Sequence, residues 1–164
     1  IRDRSWYHLD PSNASLAWDR LAMTISFMTA CAFVLGRVTS SGWGHRLLWP
    51  LIAAGLLSVV YWNLTESAGT GDLRPYALVQ FLPGLLIPVL LLTMPDKFGT
   101  AVVRWIWLGL AAYVAAKLAE WQDAGLYQMG TLLSGHSIKH LLAALSGYYF
   151  LRALLVAEQQ QESE

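Results

Sequence analysis

An all-α, multi-pass bundle of membrane-spanning helices is the fold class this sequence predicts, on three observations. Of its 164 residues, 55% are apolar and only 13% charged, about half the roughly 25% charge of an average soluble domain. The charges leave uncharged runs at residues 21–36, 47–65 and 75–95, each near the roughly 17–25 residues a spanning helix needs. Trp43, Trp49, Trp62, Trp105 and Trp121 stand near run ends, where an interfacial aromatic belt belongs. Lipid offers backbone groups no partner, so runs of this length must close their hydrogen bonds internally, as helices.

Taken in order, residues 1–10 read as the end of a preceding helix or its loop, and the chain as a fragment entered part-way. Asp10-Pro11-Ser12-Asn13 is a turn and helix start, with Asp10 or Ser12 as N-cap and proline in the first turn. The second and third helices follow at 47–65 and 75–95, where Pro83 and Pro88 are tolerable because membrane helices accommodate proline. Segments 102–120 and 134–156 have helical length but contain ionisable residues. Connections are expected at 37–46, 66–74, 96–100 and 122–133, which gives about five complete spans in one domain, 1–164, with 158–164 a solvated tail. The formal net charge is zero, which argues against nucleic acid as a partner. Cys31 is the single cysteine and forms no intramolecular disulfide.

Short connections make neighbouring helices antiparallel. If the face where the first complete helix starts is side one, then Arg37, Arg46, Lys97, Arg104 and Arg152 gather at side two. That basic excess puts side two in the cytoplasm.

The chemistry-bearing residues fall toward side one. His136 and His140, in Gly135-His136-Ser137-Ile138-Lys139-His140, stand four apart at the start of the last helix, one turn from each other and able to converge on one ion. The plain alternative is a pair of polar helix contacts, but ionisable residues within a span are costly and usually functional. His8 precedes the first helix and lies at the same depth; alone it could equally be an interfacial aromatic. Three histidines at one level can form a three-ligand zinc site with an open fourth position. Asp19 falls in the first turns of its helix, where a carboxylate can orient water and take its proton. The competing reading is an Asp19–Arg20 charge pair. Ser5 could hydrogen-bond a developing oxyanion, or be an ordinary surface serine. Asp72 and Arg74, with Gln80 following, and Lys117–Glu120 with Asp123, read as supporting polar contacts between helices.

The stretch Trp6-Tyr7-His8, Asp19 eleven residues later in Trp18-Asp19-Arg20-Leu21-Ala22-Met23, and the final His136–His140 pair together resemble the alkaline ceramidase family. Residues 71–76 and 117–123 look like a bacterial branch of it. The family belongs to a superfamily of membrane hydrolases that includes the progestin and adiponectin receptors. The resemblance implies a seven-helix bundle, here lacking its N-terminal part, with zinc held by His8, His136 and His140. It also implies Asp19 as the water-orienting acid and a ceramide-like N-acyl lipid as substrate. The family serine stands four residues before the first histidine, where this sequence has Arg4; Ser5 stands at three.

The resulting expectation is a zinc-dependent amide hydrolase embedded in the bilayer, in a bacterial inner membrane with its metal site toward the non-cytoplasmic face. The alternatives are a receptor-like or structural zinc membrane protein of the same fold, or a haem-binding or proton-coupled carrier using the same histidines.

Overall fold

The computed structural model describes residues 13–121 and 135–162, with side chains from 16 and from 138 onward in those stretches. Among the described residues every long element is an α-helix and no strand occurs. The helices are α1 (Asn13–Val38), α2 (Ser41–Ser67), α3 (Arg74–Thr93), α4 (Thr100–Trp121) and α5 (Gly135–Glu162), with a 3₁₀ turn at Pro95–Lys97. All five are long and apolar enough to cross a membrane. Trp18, Leu85, Leu92 and Trp121 turn 70% or more of their surface outward. Large apolar side chains that exposed would be a liability in water and are at home against lipid. The chain is an integral membrane protein of the multi-pass helical class.

The described chain divides into two compact units, the boundary falling within α3 after Val89. In the first unit α1 and α2 form a tight hairpin. Only Thr39 and Ser40 separate them, where the sequence suggested a connection over 37–46. The glycines and serines of Ser40-Ser41-Gly42-Trp43-Gly44 imitate a loop in sequence. Their structural use is different, because Ser40 is extended (φ −161°, ψ 156°) and α2 starts directly after it. Ser40 O accepts hydrogen bonds from the Trp43 and Gly44 amides. The glycines allow the close approach of the two backbones, since a Cβ on Gly36 would lie 2.9 Å from the Gly44 Cα.

Further along the same contact, Met28 and Thr24 pack over Gly55, and Cys31, Ala32, Val34, Ser58 and Val59 are buried. The hydroxyls buried there bond their own helices, Thr24 to Leu21 O at 2.9 Å and Ser58 to Gly55 O at 2.6 Å. This satisfies them without an interhelical partner. Pro50, Pro83 and Pro88 all lie inside helices, as the sequence suggested for the latter two.

In the second unit α4 and α5 pack on small residues. Val102, Ile106, Gly109, Ala112 and Ala116 are buried on α4, and Ser146, Ala153 and Ala157 on α5. Ser146 Oγ donates to Gly109 O at 2.8 Å across the pair, and the Phe150 ring lies over Gly109. Close backbones and an occasional hydroxyl bridge are how membrane helices associate when lipid supplies no hydrophobic drive. Helix α5 runs on through Glu162, which brings the Gln160 amide against the turn at Gly99, where φ is +76°.

Candidate functional site

Asp19 lies six residues into α1, about 9 Å along its axis at 1.5 Å per residue, and is half-buried. Its neighbour Arg20 is not committed to a charge pair, as the simpler reading of the sequence had it. The Arg20 guanidinium carbon sits 3.8 Å from the centroid of the Trp62 ring and 5.0 Å from that of Tyr76. Both rings are buried, and with Val59 they form a cluster on which Leu16, Ala17, Leu21 and Met23 pack. A desolvated cation over an aromatic face gains about 2 kcal/mol, comparable to the roughly 2.5–3.5 kcal/mol that insertion scales assign to a central arginine. Two faces therefore offset much of the cost of burying Arg20 without a carboxylate. No ion pair of Arg20 is present among the described residues.

The Asp72–Arg74 cluster closes the α2–α3 connection. Arg74 Nε and Nη2 donate to the two Asp72 oxygens at 2.9 and 2.8 Å, and the Arg74 amide also donates to Oδ1 at 3.0 Å. Tyr61 adds a hydrogen bond to Oδ2 at 3.1 Å, and the Asp72 amide donates to Thr65 Oγ1 at 3.0 Å. The Arg74 hydrogen bonds, above all, hold the Asp72 carboxyl well below the usual carboxylate range. With Gly69 and Gly71 at positive φ (81° and 58°), the motif is a built turn that joins two spans. Gln80, a turn beyond Tyr76 in α3, is buried and has an interaction partner.

At the other end of the chain, Lys117 donates to Glu120 Oε2 at 2.8 Å, the pair the spacing suggested. Missing from the sequence reading was Lys139, whose Nζ donates to Glu120 Oε1 at 3.0 Å. Its side chain is only 11% exposed, so this is the more buried of the two bridges, and it ties the last turn of α4 to the first turns of α5. The signal available was Lys139 itself, an ionisable residue inside an apolar helix that needs a partner.

His136 and His140 occupy successive turns at the start of α5, and the His140 side chain is exposed and has an interaction partner. The side chain of His136, and Ser5, His8 and Asp123 altogether, lie outside the described residues. Asp19 stands in the first unit and His140 in the second. Among the described residues no group of three or more His, Cys, Asp or Glu side chains could hold a metal; of the three histidines expected as ligands, only His140 has a described side chain. The donor set as a whole, three imidazoles with two of them one helical turn apart, is one that zinc accepts. The fourth histidine, His45, is used locally, with Nδ1 2.8 Å from the Ser41 carbonyl oxygen one turn before it.

Comparison with protein families, with characterised proteins and with solved structures finds no match.

Proposed function

We propose that this protein is a zinc-dependent membrane hydrolase that cleaves the amide bond of a ceramide-like N-acyl lipid, as a bacterial relative of the alkaline ceramidases. One observation carries the reading: His8, Asp19 eleven residues on, and the His136–His140 pair stand in one order and spacing along a chain of apolar spans. The structure supports it in part, because His136 and His140 both fall in the opening turns of a helix long enough to span.

Zinc would be held by His8, His136 and His140, and when bound would bring the pKa of water near 7 and polarise the substrate carbonyl. Asp19 would orient the attacking water and take its proton. Ser5 would donate a hydrogen bond to the oxygen that gains charge as water adds to the carbonyl carbon. Breakage of the C–N bond, with the proton passed to the leaving nitrogen, yields a fatty acid and an amine. The outward apolar side chains leave the helices open to an acyl chain entering from the bilayer. In this reading the protein lies in a bacterial inner membrane. The basic residues Arg37, Arg46, Lys97, Arg104 and Arg152 mark the cytoplasmic face, and the metal site faces the other way.

Metal analysis of the purified protein tests the proposal. About one zinc per chain is expected, with His136→Ala and His140→Ala each losing most of it. A zinc-free wild type purified without chelator, or full occupancy in both variants, would overturn it.

A further inference from the structure

The arginine stacked at the start of α1 has a use that neither folding nor the hydrolase chemistry absorbs. A guanidinium carries five N–H donors in its plane, and a ring stacked on its face takes up charge without satisfying any of them. Arg20 is held in this way by Trp62 and Tyr76. Its Nη1 is buried with no hydrogen-bond partner, while the residue as a whole stays partly exposed. Its sequence neighbour Asp19 is turned about 100° around the helix and has an interaction partner of its own. Arg20 is therefore a positive charge fixed by its two rings, with the Nη1 donors left unclaimed.

The place suits a ligand. Arg20 lies in the N-terminal half of α1, toward one end of a helix long enough to span the bilayer. The planar fork matches two oxygens of a carboxylate or phosphate, and does so better than any neutral head.

We propose that Arg20 is a binding site for the anionic oxygen group of an amphiphile, a carboxylate or a phosphate, presented from the bilayer at the first turns of α1. The fatty acid an amide hydrolase would release belongs to this class, yet the site does not depend on turnover and is tested without it.

The test is a set of binding titrations on the purified full chain in an uncharged maltoside detergent. Oleate is compared with oleamide, and dioleoyl phosphatidic acid with dioleoylglycerol. The first pair probes a free carboxylate and the second a lipid phosphate. The wild type is expected to hold at least one anion about tenfold more tightly than its neutral counterpart, and the larger ratio identifies the source. Arg20→Gln brings that ratio to about one. Arg104→Gln, which removes an exposed cation from α4, leaves it unchanged. Equal affinity for anion and neutral analogue in the wild type overturns the proposal, whether or not the variant folds. A preference that survives in Arg20→Gln overturns it equally.

Discussion

The α1–α2 hairpin offers a sharp test of the packing account, through Gly36→Ala. An added Cβ would stand 2.9 Å from the Gly44 Cα, an atom of the opposing backbone that cannot rotate away. The two helices would have to separate by several tenths of an ångström close to a connection of only two residues. Overpacking of this kind costs about 1–3 kcal/mol, against which alanine recovers up to about 1 kcal/mol of helix propensity. The net expectation is a loss near 1–2 kcal/mol, a fall in the thermal midpoint of about 2–8 °C if the 2–4 °C per kcal/mol of domains this size applies. Gly147→Ala is the matched control, since nothing lies within 4 Å of its Cβ position in α5. The same chemical change there should be neutral or slightly stabilising. Thermal unfolding of both variants in one detergent reads the contrast. A Gly36→Ala protein as stable as wild type would refute the close crossing.

Two other perturbations address the polar clusters. Glu120→Gln removes the carboxylate that Lys117 and Lys139 share and should cost more than Lys117→Gln. The Lys139 bridge is largely buried, whereas the (i, i+3) pair with Lys117 is exposed and worth only a few tenths of a kcal/mol. Glu120 itself stays 41% exposed, so the larger loss should be about 1 kcal/mol, and equal unfolding midpoints for the two variants would contradict the assignment. Asp72 has its folded pKa depressed by Arg74. Its contribution to stability is thus present above the ordinary carboxylate pKa near 4 and is lost only as pH falls through the lower folded value. Carboxyl-carbon NMR should find Asp72 still ionised at about pH 3; titration near pH 4 would contradict the Arg74 fork.

Helix existence was legible in this sequence because the cost of an unpaired backbone group in lipid leaves few alternatives. The boundaries at Ser67, Arg74 and Thr100 follow charge and glycine breaks closely. The α1–α2 turn was not legible. The same glycines signal a loop or a close crossing, and only the facing backbone decides between them. The Lys117–Glu120 pair was readable from spacing along one helix. Lys139 and the Trp62–Arg20–Tyr76 stack were not, because each joins residues distant in sequence and depends on how helices turn toward one another. The proposed zinc ligands and Asp19 belong to the same long-range class, drawn together in sequence only by order and spacing.

Turnover of an N-acyl lipid by the purified protein tests the central claim most directly. Incubated with a ceramide in mixed micelles, the wild type should release fatty acid and free amine in equal amounts. Asp19→Ala, which loses the proton acceptor, should fall by about 10²–10⁴-fold while keeping the zinc content of wild type. No release by zinc-loaded wild type, or an Asp19→Ala protein with undiminished rate, would contradict it.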